Sequence, residues 1–111
     1  MPSQKTSGTQ TTVIDTLHTL ATVTDAGVYV LALDFFDGVA GDIYEVDVLL
    51  KVLTGGTARK YLPTAIYSII SLASPVVLSI PVPVLWGVIF KLQQTDGVTS
   101  DIAWEVIQLD A

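Results

Sequence analysis

The chain has 111 residues, the size of one domain, and its 11 acidic and 5 basic residues give a formal net charge of −6. This charge argues against nucleic acid as a partner, because phosphate binding requires clustered Lys and Arg. Cysteine is absent, which excludes disulfide and thiolate chemistry, and half of the residues are hydrophobic, which indicates a large core or a large protein interface.

The first twelve residues, MPSQKTSGTQTT, are polar and contain no apolar segment of the signal-peptide type. We expect residues 1–12 to form a flexible N-terminal arm, ahead of a single β-sandwich domain over residues 13–111. The stretch 13–24 has an apolar spacing that would suit a helical turn, but its many threonines favour an extended strand.

Two long strands, predicted over residues 28–35 and 43–53, organise the rest of the sequence. The second strand has one face that is apolar at a strict period of two, which is typical of a strand with one buried side. That face consists of Tyr44, Val46, Val48, Leu50 and Val52. The first strand is apolar on both faces, as in strands that are covered on both sides. Its faces are Tyr29, Leu31, Leu33 and Phe35 on one side and Val28, Val30 and Ala32 on the other.

Turn signals divide the remaining chain into further short strands. Residues 37–42 carry Asp-Gly and Gly-Asp, residues 54–57 carry two adjacent glycines, and residues 95–97 are Thr-Asp-Gly. Proline at positions 81 and 83 marks an edge or a corner. We therefore predict an all-β fold, a single antiparallel β-sandwich that is jelly-roll-like, with seven or eight strands.

The segment 61–90 contains no charged residue and is long enough for a membrane-spanning helix of about 20 residues. Four prolines interrupt it, and proline destabilises a helix interior by about 3 kcal/mol. Its other residues are rich in Ile, Val, Tyr and Ser, which favours strands. A small membrane-inserted protein is therefore the least favoured interpretation of this sequence.

Candidate catalytic and metal-binding residues are few. His18 is the only histidine, and no nucleophile motif accompanies it, so a surface or interface histidine is the simpler interpretation. Glu45 and Asp47 share a strand face and could act as a glycosidase pair, although such carboxylates more often form a solvated face. Three aspartates flank a Gly-rich loop and could hold Ca²⁺, or could simply belong to turns. They are Asp34, Asp37 and Asp42. We predict that the protein is not an enzyme and has no cofactor or catalytic metal.

Large aromatic side chains could mark a carbohydrate-binding surface if they are exposed. The candidates are Tyr44, Tyr61, Tyr67, Trp86 and Trp104. Because large aromatics dominate both protein cores and protein interfaces, we favour core or interface anchors for the two tryptophans.

Over about residues 22–109 the chain resembles small structural proteins of tailed bacteriophages, of the jelly-roll or β-sandwich type. The resemblance is carried by the stretch 22–57, by Pro-Val-Pro before a strand with Gly87, Phe90 and Lys91, and by a closing strand with Trp104, Glu105 and Val106. It implies a virion component, either a capsid decoration protein that binds as a trimer or a tail or fibre module.

We therefore expect a non-enzymatic virion structural protein, a capsid decoration (cement) protein that associates with itself as a trimer and binds the major capsid protein or another virion protein. The alternative is a tail or fibre module that binds another virion protein or a host glycan. The excess of apolar strand faces predicts an oligomer interface. Its residues would be Tyr29, Leu31, Leu33, Phe35, Leu49 and Leu53. The N-terminal arm, which is uncharged except for Lys5, could become ordered on a capsid. Its attachment residues would be Ser3, Gln4, Lys5 and Thr6.

Overall fold

The computed structural model describes residues 3–36, 41–53, 55–61, 64–68, 76–79 and 81–109. These residues form ten β-strands and no helix. The strands are Ser3–Thr11 (β1), Leu17–Val23 (β2), Gly27–Asp34 (β3), Ile43–Lys51 (β4), Arg59–Lys60 (β5), Ala65–Ser68 (β6), Val76–Leu78 (β7), Val82–Val84 (β8), Gly87–Asp96 (β9) and Asp101–Gln108 (β10).

Two antiparallel sheets of five strands pack face to face. Sheet A has the order β1-β10-β3, with β7 and β8 both paired to the far side of β3. Sheet B has the order β2-β9-β4, with β5 and β6 both paired to the far side of β4. If each short pair is counted as one interrupted strand, the chain has eight strand positions in the sheet order of a jelly roll. The predicted all-β sandwich is confirmed.

The alternation of side chains along β4 determines which of them form the inner face of sheet B. Tyr44 and Val46 are buried, and Val48 and Leu50 pack against the core as partly buried side chains. Val52, predicted on the same face, lies beyond the end of β4 and is 71% exposed. The period of two therefore identifies the inner face correctly as far as the strand continues.

The inner face of sheet A is the aromatic face of β3. Tyr29, Leu31, Leu33 and Phe35 were expected in an oligomer interface, but none of them is more than 3% exposed. The Phe35 ring stacks on the Tyr44 ring of sheet B, with 4.7 Å between the ring centroids. These four side chains are core residues, because β3 is a central strand and its alternation directs this face towards sheet B.

The interior is otherwise filled by aliphatic side chains and one further phenylalanine, contributed by both sheets. These are Leu20, Ala21, Val23, Val46, Val82, Val84, Val88, Phe90, Leu92, Ile102 and Val106. Full burial of such a side chain stabilises the fold by about 1.5–3 kcal/mol, before the entropy of ordering is subtracted. A two-layer fold of this size can therefore form its own core from one copy of the chain.

Residues 3–11, predicted as part of a flexible arm, form the outer strand of sheet A. β1 pairs with β10 from Ser3 opposite Gln108 to Thr11 opposite Asp101. The sequence of β1, SQKTSGTQT, has no apolar side chain, so hydrophobic alternation could not predict a strand there. The ladder of backbone hydrogen bonds to β10 holds this strand in place, and the domain begins at least as early as Ser3.

The turn between β9 and β10 requires glycine. Gly97 has a φ of 99°, and a Cβ atom built there would lie 1.9 Å from Asp42 Oδ1 and 2.7 Å from Asp42 Cα. Gly55, in the connection after β4, also has a positive φ of 74°, but nothing lies within 4 Å of its Cβ position. An alanine at Gly55 would therefore cause backbone strain alone, whereas an alanine at Gly97 would cause backbone strain and a steric clash.

We predict that Gly97→Ala lowers the free energy of unfolding by about 3 kcal/mol or more, because it combines left-handed backbone strain with a clash against a buried residue. Gly55→Ala is the matched control and should lower it by only about 1–2 kcal/mol, from backbone strain alone. Urea unfolding followed by circular dichroism measures both. Equal losses in the two variants would contradict the described packing of the turn against Asp42.

Candidate functional site

The outer face of sheet A carries apolar side chains on β3 and β7, and those on β7 are exposed. On β3, Val28, Val30 and Ala32 alternate with the buried face and point away from sheet B. The neighbouring strand β7 adds Val76 and Leu78, which are 60% and 59% exposed. A shallow depression of about 320 Å³ extends over this sheet from β1 to β7, and its lining includes aliphatic and acidic residues. The lining residues are Ser7, Gly8, Ala32, Leu33, Asp34, Val76, Ala103, Trp104 and Glu105.

Val30 shows how closely this outer face is packed. Its side chain is only 6% exposed although it does not belong to the interior cluster. In the sheet register it lies opposite Ile107 of β10. Leu78 lies opposite Ala32 on the other side of β3. The outer face of sheet A therefore combines an apolar patch around Val30 and Leu78 with the carboxylates of Asp34 and Glu105, a mixture that protein interfaces use.

The outer face of sheet B is charged instead. Asp47 lies opposite Lys91 in the register, and its Oδ1 atom lies 3.7 Å from Lys60 Nζ. The Thr64 hydroxyl donates a hydrogen bond of 2.5 Å to the same carboxylate. Glu45 lies opposite Gln93. The Asp47 side chain is only 12% exposed, so its carboxylate is held by Lys60 and Thr64 and is not freely solvated.

Two further residues of the predicted oligomer interface lie on or near this charged face. Leu49 lies between Ile89 and Lys60 in the sheet and is partly buried. Leu53 lies beyond the end of β4 and is 70% exposed. The structure therefore does not bring Leu49 and Leu53 together with the β3 residues into one surface.

The predicted attachment residues lie at the start of β1, on an open sheet edge. Ser3, Gln4 and Lys5 are exposed, and a β-bulge separates Gln4 from Thr6. Lys5 forms an ion pair with Asp25, and hydrogen bonding to this carboxylate raises the pKa of Lys5. These side chains are accessible to a partner, and their role in attachment stays a prediction.

A buried polar network closes the end of the sandwich that carries the β1–β2, β3–β4 and β9–β10 connections. Asp42 is fully buried and accepts hydrogen bonds from the Tyr44 hydroxyl at 3.1 Å and from the Val98 backbone N–H at 2.8 Å. The Tyr44 oxygen also lies 2.7 Å from Ser100 Oγ. Burial is the main reason that the pKa of Tyr44 is raised to about 12.

Thr12 and Gln94 form the second half of this network. The Thr12 hydroxyl accepts a hydrogen bond of 3.0 Å from the Ser100 backbone N–H and contacts the Gln94 side-chain oxygen. The Gln94 amide nitrogen donates to the backbone oxygens of Asp96 and Val98, at 3.1 and 2.8 Å. The network thus fixes three chain connections by satisfied polar groups, which rigidifies this end of the fold.

These contacts bear on the calcium interpretation. Asp34 accepts a hydrogen bond of 2.9 Å from the Phe36 backbone N–H, and Asp42 belongs to the polar network. Asp37 lies outside the described residues. Within the described part of the chain, no group of three or more His, Cys, Asp or Glu side chains is arranged to hold a metal ion.

His18 is held by local hydrogen bonds near the same end. Its Nε2 atom accepts a hydrogen bond of 3.3 Å from the Val13 backbone N–H, and its Nδ1 atom lies 3.2 Å from the Gln10 amide nitrogen. Both ring nitrogens thus have structural partners from neighbouring chain segments. His18 is partly buried, and the surface or interface role expected from the sequence stays a prediction.

The two tryptophans have different environments. Trp104 is partly buried against the core, as the anchor interpretation predicted, and a Cβ atom at Gly8 would lie only 3.0 Å from its ring. Trp86 is 41% exposed and lines a groove of about 200 Å³ at the opposite end of the sandwich from the polar network. The other groove residues are Thr22, Thr24, Lys51, Gly56, Ala58, Gly87, Val88 and Ile89. Sequence analysis favoured a core or interface anchor for Trp86, and its exposure shows that it is not a core residue of the single chain.

Comparison of the chain with protein-family models, with curated proteins and with solved structures finds no match. Among the residues that the structure describes, no helix has the length and apolar character needed to cross a membrane. The described residues between positions 61 and 90 include strands β6, β7 and β8 and the start of β9. The phage resemblance stays an interpretation of the sequence.

We predict that Thr12→Val lowers the free energy of unfolding by about 1–3 kcal/mol, because it leaves the Gln94 oxygen and the Ser100 N–H buried without this partner. Thr19→Val, an exposed change on the outer face of sheet B, is the matched control and should stay within about 0.5 kcal/mol of the wild type. Urea unfolding at neutral pH compares them. Similar stabilities for both variants would argue against a structural role for the network.

The raised pKa of Tyr44 predicts that the folded state loses stability at alkaline pH. Its pKa in the folded state, about 12, lies above its ordinary value of 10.0, so the native state keeps the proton to higher pH than the unfolded state. The stabilisation from this group is complete below about pH 10 and is lost as pH rises towards 12. In Tyr44→Phe the unfolding free energy should therefore fall less steeply above pH 10 than in the wild type. Thr12→Val, which keeps Tyr44, should retain the wild-type slope, and identical slopes in all three proteins would refute the assignment.

Proposed function

We propose that this protein is a non-enzymatic structural protein of a bacteriophage virion, a capsid decoration protein that associates with itself through the outer face of sheet A. The observation that carries the self-association is the exposure of Val76 and Leu78 next to the closely packed Val30. The two-layer sandwich covers the inner face of each sheet, and Val76 and Leu78 on the outer face of sheet A remain exposed to water.

The energetics favour burial of this face against a second copy. Apolar area removed from water contributes about 25 cal/mol per Å², so an interface of about 1,600 Å² has a large gross gain before the cost of association. The depression beside Val76 is lined by apolar residues together with Asp34 and Glu105, and a mixture of apolar and polar groups is common in protein interfaces. Cyclic symmetry would close the contacts and leave no unpaired copy of the surface.

The capsid and the trimer enter this proposal through the resemblance to phage structural proteins. The polar edge of β1 supports an attachment role, because Ser3, Gln4 and Lys5 offer exposed hydrogen-bonding groups without exposing apolar surface. Repetition on a symmetric shell would add avidity to weak single contacts. Cryo-EM of particles that carry the protein tests the location, and density on the tail in place of the capsid surface would overturn the decoration role.

Leu78→Glu tests the self-association. We expect the wild type to sediment as an oligomer, and we expect the variant to associate at least about tenfold more weakly, because the contact would bury an unpaired carboxylate. Residue 78 is exposed in the single chain, so the variant should fold normally. Thr19→Glu places the same charge on the outer face of sheet B and should leave the sedimentation unchanged. A wild type that remains monomeric at all concentrations, with occupancy of the particle unaffected by Leu78→Glu, would exclude this interface.

A further inference from the structure

We propose that the groove beside Trp86 binds a saccharide that carries a carboxylate. This site lies at the opposite end of the sandwich from the polar network, and the inference does not depend on the capsid proposal. Trp86 directly precedes β9, and in the register Gly87 lies opposite Lys51. The connections after β2, β4 and β8 therefore meet around the indole ring.

The indole ring of Trp86 supplies a flat apolar platform. The face of an aromatic ring carries partial negative charge, and the C–H groups on one side of a pyranose ring carry partial positive charge, so the two surfaces pack favourably. Gly56 and the buried Gly87 have no side chains, so the floor of the groove stays open beside the ring. A groove of about 200 Å³ is smaller than the range of about 300–1,000 Å³ that suits drug-sized ligands, and it fits a single sugar unit.

Hydrogen-bonding groups surround this platform. Thr22 and Thr24 carry exposed side chains at the end of β2, and Lys51 ends β4 on the other side of the groove. Within the described ranges of the chain, none of these three side chains takes part in a hydrogen bond or an ion pair. Two hydroxyls and one ammonium group are thus available to a ligand that has hydroxyl groups and a negative charge.

The distribution of charge along the sandwich favours an anionic ligand at this end. Lys51 and Arg59 lie here, and the two further lysines on this side are each paired with a carboxylate, Lys60 with Asp47 and Lys5 with Asp25. The described carboxylates at the opposite end have no basic side chain among them. They are Asp15, Asp34, Asp42, Asp96 and Asp101. A protein with a net charge of −6 therefore presents its basic end to an approaching acid.

The concave position of Trp86 favours a saccharide over a lipid surface. Val52, Leu53 and Leu85 near the groove are more exposed than Trp86 and could contact acyl chains. Trp86 itself lines a depression together with hydroxyl groups, which suits a ligand that enters the fold. A lipid surface is therefore the competing outcome of the test below.

The test follows the indole N–H signals of the two tryptophans by NMR during titration with tri-galacturonate or with its neutral counterpart, a galactose trimer. Trp104→Phe leaves only the Trp86 signal and assigns it. We expect the acidic trimer to shift this signal saturably and to bind about fivefold more tightly than the neutral trimer, a factor typical of one solvent-exposed ion pair. The preference should decrease as salt is added.

Three variants locate the site. Trp86→Ala should weaken binding of tri-galacturonate by at least about tenfold, as for an aromatic residue at the centre of a contact. Lys51→Gln should make the acidic and neutral trimers bind equally. Phe36→Ala removes another exposed aromatic, 61% exposed and at the other end of the sandwich, and should change nothing.

The outcomes that overturn the proposal are equally distinct. If neither trimer shifts the Trp86 signal in protein that is folded by circular dichroism, the site does not bind these sugars. An equal shift with inorganic phosphate would show a simple anion site. Sedimentation with phosphatidylglycerol vesicles that is lost in Trp86→Ala, with no response to the trimers, would assign the groove to a lipid surface.

Discussion

The packing of β3 against β4 is the contact on which the rest of the fold depends. These strands are adjacent in sequence but lie in different sheets, and the stacked rings of Phe35 and Tyr44 join the two layers. Each strand is central in its own sheet, so the position of this contact determines how far the flanking strands lie from the core. Both candidate surfaces follow from this contact, since it turns the aliphatic face of β3 outwards and directs the end of β4 towards Trp86.

The two ends of the sandwich differ in kind. One end is closed by hydrogen bonds that join Asp42, Gln94 and Ser100, and the Gly97 turn packs directly on this network. The other end has an open groove with side chains that are accessible to solvent. A fold with one rigid end and one open end can keep its shape while the exposed loops vary, which is common in proteins that use loops for recognition.

Sequence reasoning predicted the fold where apolar alternation was present. It separated the two faces of residues 28–35 and 43–51 correctly, but it assigned the inward face of the first strand to an oligomer interface, because both faces of that strand are apolar. Residues 3–11 were predicted as part of a flexible arm because β1 has no apolar side chains. A polar edge strand is held by backbone hydrogen bonds, and these leave no hydrophobic pattern in the sequence. The network around Thr12 and Gln94 joins residues 82 positions apart and could not be seen in a single chain segment.

The pairing of β1 with β10 has a consequence for synthesis of the chain on the ribosome. Thr11 and Asp101 are partners although 90 positions separate them, so the first strand is made long before its neighbour exists. Contacts between such distant segments slow folding, because the intervening loop must close first. A nascent strand of Ser, Thr, Gln and Gly offers little apolar surface to other chains during that delay. Its composition therefore suits a segment that must stay unpaired until β10 has been translated.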